Sequence, residues 1–434
     1  MRRALAVAAA VVALAAAAGV SAQRVDPKRP TTLVVGPSRG PAPTARGDAR
    51  RTGLARTALP TGTLKVAWQR ALGIAIEGPP LVTAAGDVAV TTTRGEVTVL
   101  DAEDGIERPH GAALGAPPHG AAALLSNGTL VFVNQAGEAI GVRDGAVRFR
   151  ARIGDGHTLT ERGGVLALDD GGAAVSSATE LATLDAEGHV RARATLDEPV
   201  AAPLVATPGR IAAITSTGKV FLWSPGREPV RTGSFGGPID GAAALVDDHT
   251  LVAVAFGGQL VELDLARGVA VARMSSPSLL LGPPAFRGDT AYVLAAMPGR
   301  TFALAIDGTG QEVLRIPLVT TPSAAVLADG GVPTLTMPAH VGPIVDAAGT
   351  LAFATPEGRI GVLTKDGALE LLGDAYCTRT AGLTGARSPA PPPTSAAFAG
   401  LAPAGPRAFV VACETGVVVK VTAAQGTDGR PTGE

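Results

Sequence analysis

Short apolar stretches separated by polar turns recur along most of this chain. Thr129–Val133 and Thr250–Ala255 are apolar at every position after the first. Runs of about four to eight residues without a helical period are typical of strands that are buried on both faces. Leu64–Leu72 instead mixes apolar with polar residues, as a strand with one exposed face does. The pattern therefore predicts an all-β chain.

The strand pattern repeats at a nearly constant interval. Each unit has a turn residue, then a β-branched run and often a Leu-Asp stop, as in Gly95–Asp101 and Gly258–Asp264. The turn positions are spaced by 42, 42, 39, 40, 41, 59 and 58 residues, and they are Gly95, Gly137, Thr179, Gly218, Gly258, Gly299, Gly358 and Gly416. Self-similarity at about 40–45 residues, with four strands per unit, indicates a β-propeller.

Eight units predict an eight-bladed β-propeller built from four-stranded antiparallel blades. Seven blades are the alternative, if the third unit with its Thr179 or the last unit is not a full sheet, and an open solenoid is a further competitor. Residues 64–72 have no inner strands of their own, so they are expected to be the outer strand of the last blade. That closure would leave no free end of the ring.

The two longer intervals indicate insertions near residues 309–339 and 380–397. Long loops on a rigid scaffold are often functional, although drift in a surface loop explains them equally well.

The N-terminus has the pattern of an export signal. Arg2 and Arg3 precede an Ala/Val run, and Val20–Ala22 supplies small residues for cleavage, so residues 1–22 are expected to be a signal peptide. An uncleaved anchor is the alternative. Residues 23–62 are rich in Pro, Gly and Arg and are expected to form a flexible leader, followed by the propeller over 63–423 and a disordered tail over 424–434. The mature protein is expected in the periplasm or secreted, without a membrane span.

Composition adds two constraints. The net charge of −1 gives no reason to expect nucleic acid or an anionic membrane as a partner. Charged residues make up 17% of the chain, compared with about 25% in ordinary domains, because sandwiched blades bury both faces of their inner strands.

The two cysteines, Cys377 and Cys413, are expected to form a disulfide in an exported protein. A metal or catalytic pair is disfavoured because no histidine lies near either of them in the sequence.

Several stretches resemble one repeat family. Val99–Gly105, Thr183–Gly188 and Glu262–Gly268 are similar to the pyrroloquinoline-quinone-type (PQQ-type) propeller repeat. Gly47–Gly53, followed by Val66–Trp68, resembles the segment that often precedes such propellers in bacterial exported proteins. The resemblance covers about residues 47–421 and implies the propeller fold.

This family contains both enzymes and non-enzymes. Its quinoprotein dehydrogenases hold a flat cofactor between a Trp and an adjacent Cys-Cys disulfide, beside a Ca²⁺ bound by Glu, Asn and Asp. The present chain has no adjacent cysteines, and its only Trp and Asn residues are Trp68, Trp223, Asn127 and Asn134. Trp223 lies in a predicted blade strand and is interpreted as packing. The resemblance therefore points to a non-catalytic branch, with no catalytic, cofactor-binding or metal-binding residues assigned.

A non-enzymatic member of the family is the propeller lipoprotein of the outer-membrane β-barrel assembly machinery, although the lipid-attachment Cys is missing here. His119 and His340 fall at equivalent positions before inner strands and are possible channel-facing residues. Our leading hypothesis is an exported, monomeric propeller that acts as a protein-interaction scaffold for an unknown partner. The alternatives are a quinone or small-molecule site in the central channel, as in a quinoprotein-type oxidoreductase, and an outer-membrane protein assembly role.

Overall fold

The computed structural model describes residues 42–108, 112–156, 163–255, 257–275, 278–297, 300–320, 341–373, 376–377 and 398–424. Within these residues the regular structure is entirely β, and the strands form eight sheets. The eight-bladed propeller of four-stranded antiparallel blades is thereby confirmed. The described residues contain no apolar helix of membrane-spanning length.

The strands of the first four blades, from the axis outward, are as follows. They are β3 (Leu81–Val82), β4 (Val88–Thr91), β5 (Glu96–Leu100) and β6 (Ala112–Ala113) in blade 1; β7 (Ala123–Leu124), β8 (Leu130–Val133), β9 (Glu138–Arg143) and β10 (Ala146–Arg152) in blade 2; β11 (Val165–Ala167), β12 (Ala173–Ser177), β13 (Glu180–Leu184) and β14 (Val190–Thr195) in blade 3; and β15 (Val205–Thr207), β16 (Arg210–Ile214), β17 (Lys219–Trp223) and β18 (Val230–Ser234) in blade 4.

The second half of the ring follows the same order. Its strands are β19 (Ala244–Leu245), β20 (Thr250–Ala255), β21 (Gln259–Asp264) and β22 (Val269–Ser275) in blade 5; β23 (Leu279–Arg287), β24 (Thr290–Met297), β25 (Arg300–Ile306) and β26 (Glu312–Thr320) in blade 6; β27 (Ile344–Asp346), β28 (Leu351–Ala354), β29 (Ile360–Leu363) and β30 (Leu369–Leu371) in blade 7; and β31 (Phe398–Pro403), β32 (Ala408–Cys413), β33 (Val417–Ala423) and β2 (Leu64–Ala71) in blade 8. One further short strand, β1 (Leu54–Ala55), pairs in parallel with β27.

The ring closes as the sequence predicts. β2 is the outermost strand of blade 8 and pairs antiparallel with β33 from Leu64↔Ala423 to Ala71↔Val417. The early and late parts of the propeller therefore share one sheet, which excludes the open solenoid.

Two-sided burial explains the apolar strands. Every residue of β4 and β8 is buried, whereas the outer strand β14 is exposed at alternate positions and half-buried or exposed elsewhere. The apolar side chains pack between neighbouring blades, as Phe353 of blade 7 and Phe409 of blade 8 do in one cluster. Each fully buried side chain of this size contributes roughly 1.5–3 kcal/mol.

The repeated turn glycine has a steric cause. Gly95 has a φ of +76°, and a Cβ there would lie 2.4 Å from the carbonyl oxygen of Ala116. The third unit has no glycine at this turn. Ala178, at a φ of +49°, and Thr179 instead connect Ser177 to Glu180 in a tight hairpin. This unit nevertheless forms a complete four-stranded blade.

The first predicted insertion is placed wrongly at its start. Residues 312–320 form β26, the ordinary outer strand of blade 6, so any insertion begins after Thr320. The remainder of that stretch to residue 340, and residues 378–397 of the second insertion, lie outside the described residues. The signal peptide, residues 23–41 of the leader and residues 425–434 of the tail also lie outside them.

Cys377 and Cys413 are joined in a disulfide with a Cα–Cα distance of 5.0 Å. Cys377 follows β30 of blade 7, and Cys413 ends β32 of blade 8, where it is fully buried. The bond therefore ties two neighbouring blades across the second insertion.

Candidate functional site at the propeller axis

Residues 42–59, here called the axial segment, lie against the inner strands of the propeller. This differs from the expectation of a flexible leader as far as residue 62. Ala42 bridges to Val82 in blade 1, and Thr44 bridges to Ala123 in blade 2. Farther along, Arg407 of blade 8 donates its N–H to the carbonyl of Ala58 at 2.8 Å. The segment therefore contacts the ring from its first blade to its last.

The backbone of the axial segment accepts one hydrogen bond from the same inner-strand position in six blades. These bonds are 2.7–3.0 Å long, and they run from Val82 to Ala42, Leu124 to Pro43, Ala206 to Ala49, Leu245 to Arg50, Phe286 to Thr52 and Val345 to Gly53. The partners follow the order of the blades, so the segment runs round the axis. Inner strand edges would otherwise present unpaired N–H groups to the channel. In blade 8 the same position is Pro403, which has no N–H to donate.

Two arginine side chains of the axial segment donate hydrogen bonds to backbone carbonyls at the inner strands. Arg51 donates to the carbonyls of Val165 in blade 3 at 2.9 Å and Leu204 in blade 4 at 3.1 Å. Arg46 donates to the carbonyls of Pro343 in blade 7, at 3.0 Å, and Pro284 in blade 6. These four carbonyls lie at the same position of their blades, which in blades 4, 6 and 7 is two residues before the N–H group described above. Each guanidinium thus bridges two neighbouring blades on its own side of the axis.

Both guanidinium groups are buried but remain charged at neutral pH. Arg51 has no exposed surface, and Arg46 is 4% exposed. Desolvation lowers the pKa of each to about 10, while the carboxylate of Asp48 acts in the opposite direction. Asp48 is itself held by Thr52, whose backbone N–H donates to it at 3.0 Å and whose hydroxyl donates to its other oxygen. Arg46 and Arg51 therefore form a buried charged pair at the axis, in which Asp48 partly compensates the two positive charges.

Glycines provide the room for Arg46. A Cβ at Gly53, whose φ is +71°, would lie 2.5 Å from Nη2 of Arg46, and one at Gly342 would lie 2.2 Å from its Nη1. Any side chain at either position would displace the guanidinium from its carbonyl partners.

The residues of the chain do not fit pyrroloquinoline quinone, the cofactor that the sequence resemblance raises. Trp223 is completely buried, and its indole N–H donates to the carbonyl of Arg227 at 3.0 Å. Trp68 is buried at the contact between blades 8 and 1, where it packs on Gly105 and donates to Ala102. Neither indole offers a free face for stacking a planar ring. The cysteines are 36 residues apart and bonded to each other, so they cannot form an adjacent-cysteine disulfide.

The two histidines singled out in the sequence are placed only in part. His119 is buried ahead of β7, the inner strand of blade 2, and its backbone N–H donates to the carbonyl of Val133 at 2.7 Å. His340 lies outside the described residues. Glu77 and Asp240 occupy the position of His119 in blades 1 and 5, since their N–H groups make the same bond to the second strand. In the described part of the chain no three His, Cys, Asp or Glu side chains are grouped to hold a metal ion.

A charged network lies where blade 3 leads into blade 4. Glu198 accepts hydrogen bonds from Lys219, from the hydroxyl of Thr217 at 2.5 Å and from that of Thr215 at 2.8 Å. These bonds, the one from Lys219 above all, lower the pKa of Glu198 from 4.5 to about 2. When Glu198 is ionised, these hydrogen bonds stabilise the connection between blades 3 and 4.

We expect this network to make stability depend on pH in acid. A carboxyl whose pKa is lowered by folding stabilises the fold above its unfolded pKa of 4.5, and this contribution is lost as the pH falls toward 2. Glu198→Gln is expected to cost about 1 kcal/mol at pH 7 because its charge-assisted hydrogen bonds are lost. Urea unfolding of both proteins between pH 2 and 6 should show the difference shrinking below pH 4.5. A difference that stays constant over this range would contradict the assignment.

Comparison with known proteins finds likeness in structure alone. No family model and no curated protein sequence matches the chain. The crystal structure of the computationally designed Ika8 protein is similar with a TM-score of 0.58 and 15% identity, covering 82% of this chain and 99% of that one. BamB from Moraxella catarrhalis gives a TM-score of 0.53 and 16% identity, covering 85% and 100%. Quinohemoprotein alcohol dehydrogenase from Comamonas testosteroni gives 0.63 and 12%, covering 90% and 82%.

These neighbours confirm the expected resemblance only at the level of the fold, a β-propeller. Because a designed protein and an alcohol dehydrogenase both adopt it, the fold leaves the activity open.

Proposed function

We propose that this chain is a non-catalytic scaffold outside the cytoplasm that binds a partner protein along the outer edge of blade 5. The partner supplies an extended segment with β-branched side chains, which pairs with β22. The observation that carries the proposal is the unprotected apolar edge of that strand.

The outer strand of blade 5 differs from its counterparts. Val269 and Val271 are 53% and 61% exposed, and no charged residue occurs among the first four residues of β22. The following residue, Arg273, is turned toward blade 6, where it donates to the carbonyls of Asp307 and Asp289. β22 is also the last strand of its sheet, so its outer edge has no strand partner among the described residues.

Other outer strands carry the charges that protect an edge from pairing. These charges are Arg148 and Arg152 in β10, Arg191 in β14, Arg231 in β18, and Glu312 and Arg315 in β26. Arg150 of β10 and Arg193 of β14, like Arg273, instead donate to carbonyls of a neighbouring blade. Charged side chains on an edge strand disfavour pairing with another chain, and an apolar edge without them favours it. Strand addition is a common mode of peptide recognition, in which backbone hydrogen bonds provide affinity and side chains provide specificity.

Two further observations support a binding role over turnover and a location outside the cytoplasm. The axis contains the axial segment, and neither tryptophan is available to stack a quinone. The disulfide between Cys377 and Cys413 is consistent with an oxidising compartment, as is the export pattern of the first 22 residues. The likeness to BamB concerns the fold, and no partner is carried over from it.

The test is a double substitution, Val269→Lys with Val271→Lys. A photo-crosslinker at Ala272 in the full-length protein should capture one stoichiometric partner in the source organism. The double variant is expected to reduce this capture at least tenfold, because two charges are placed where the partner strand must pair. Val190→Lys on β14 is the matched control, since Val190 is also an exposed valine of an outer strand. It should leave the capture unchanged.

Two results would count against the proposal. One is unchanged capture by the double variant when its unfolding midpoint equals that of the wild type. The other is a saturable thermal shift on adding pyrroloquinoline quinone and Ca²⁺, which would favour the channel-site alternative instead.

A further inference from the structure

A cleft of about 280 Å³ lies between blades 6 and 7, away from the axis and from β22. Its floor is apolar and includes Leu304, Leu351 and Leu363, each at most 1% exposed. Its rim is polar and includes Tyr292 and Thr364. An apolar floor with a few converging polar groups is the usual construction of a small-molecule site.

The cleft exists because the two blades differ in their outer strands. β26 of blade 6 is nine residues long, and its Val313 and Leu314 form one wall. β30 of blade 7 has only three residues, so the opposite wall is formed by the preceding turn at Thr364 and Lys365. The volume lies just under the range of about 300–1,000 Å³ that drug-sized ligands occupy, which favours a smaller molecule.

Two basic residues flank Gly349 at the mouth of this cleft. Arg287 Nη1 lies 3.0 Å from the point where a Cβ would stand on Gly349, and Cβ of Lys365 lies 3.5 Å from the same point. The Nε–H of Arg287 donates to the carbonyl of Ala347 at 3.0 Å, which orients the guanidinium and leaves its two terminal nitrogens for another partner. Gly349 therefore allows both basic residues to lie beside one spot.

Neither cation has an acidic partner in the described part of the chain. Some other arginines of the propeller do, as Arg108 has in Asp87 at 2.8 Å, Arg148 in Asp144 at 3.2 Å and Arg315 in Glu312 at 2.6 Å. Arg287 and Lys365 form no ion pair with a described carboxylate. Two basic residues beside one position, neither with an acidic partner among the described residues, favour an anion there.

We propose that the cleft between blades 6 and 7 binds a small amphipathic anion, with a carboxylate on Arg287 and Lys365 and a short apolar body on the leucine floor. The planar guanidinium accepts a carboxylate through two parallel hydrogen bonds, while the ammonium adds a point charge. Burial of the apolar body on Leu304, Leu351 and Leu363 provides the remaining affinity. This site does not depend on the scaffold role, because it lies between blades 6 and 7 and the proposed docking strand β22 belongs to blade 5.

Titration calorimetry of the full-length protein with octanoate tests the site. Octanoate is expected to bind at one site per chain, and 1-octanol and acetate are expected to bind at least tenfold more weakly, because each lacks one half of the recognition. Lys365→Met should weaken octanoate at least tenfold and, since this exposed side chain makes no hydrogen bond to the described residues, should leave the fold intact. Arg287→Met should have a similar effect. Arg300→Met, an exposed arginine of the same blade, is the control and should change nothing.

Three outcomes would overturn the proposal. Equal binding of 1-octanol would show only an apolar cleft, and equal binding of acetate would show only a cluster of charges. Octanoate binding that survives both Lys365→Met and Arg287→Met would place the ligand elsewhere.

Discussion

Arg51→Met is expected to lower the free energy of unfolding by about 3–5 kcal/mol. This is a large effect for a residue of residues 23–62, whose composition is that of a flexible leader. The Arg51 guanidinium donates to three carbonyls, those of Ala45, Val165 and Leu204, at 2.9–3.1 Å. Methionine fills part of the same space but leaves these buried acceptors without donors. Each unsatisfied buried group costs about 1–3 kcal/mol.

Arg50 provides the matched control, because it is the neighbouring residue in the same segment. Its side chain is 46% exposed and forms a surface ion pair with Asp248 at 2.9 Å. Exposed pairs of this kind contribute about 0–1 kcal/mol, so Arg50→Met should be nearly neutral. Urea unfolding of the two variants measures the contrast. Equal effects at Arg50 and Arg51 would mean that the axial segment does not hold the blades together.

Arg51→Lys separates charge from geometry. Lysine keeps the positive charge, but its ammonium cannot reach carbonyls in blades 3 and 4 with the fork of a guanidinium. We therefore expect it to be destabilising by more than 2 kcal/mol, closer to methionine than to the wild type. Recovery of wild-type stability by lysine would show that the charge alone matters.

The second large effect is expected at the disulfide. Replacing both Cys377 and Cys413 by alanine should cost about 4 kcal/mol, because the bond closes a loop with a sequence separation of 36 residues and so restricts the unfolded chain. Equilibrium unfolding in urea of the wild type and the double variant measures this difference. Reductant should destabilise the wild type by a similar amount and leave the double variant unaffected. A loss below about 1 kcal/mol would show that blades 7 and 8 are held together without the bond.

The axial segment changes how the fold can be used. A propeller channel is often regarded as the natural ligand site of its fold, but here residues 42–59 bind the inner strands of most blades from within. The two arginines are buried in that contact and are not offered to a ligand. Binding is therefore expected at the outer surface, at an exposed strand edge such as β22 and in a cleft between blades.

The sequence alone was sufficient to predict the blades and their closure. Strand runs such as Thr250–Ala255 and turn glycines such as Gly95 are local signals, and their repetition predicts the fold class and favours eight blades over seven, which the eight sheets confirm. The packing role of Trp223 was predicted for the same reason, since its position within a repeat determines its burial. The prediction for residues 64–72 is confirmed. This strand has no inner strands of its own, so the position it can fill in a closed ring is the outer edge of the last blade.

Only the tertiary structure decided what residues 42–59 do. Their composition is that of a flexible segment, and Arg46 and Arg51 adopt positive φ values of 68° and 59°, a conformation that costs a non-glycine residue about 1 kcal/mol. Their partners are backbone groups of distant blades, such as the carbonyl of Pro343, 297 residues from Arg46. The cleft between blades 6 and 7 was equally hidden, because Arg287, Gly349 and Lys365 meet only when the two blades pack together. Local pattern determines strands and turns, whereas the backbone groups that Arg46 and Arg51 contact are decided only when distant blades pack together.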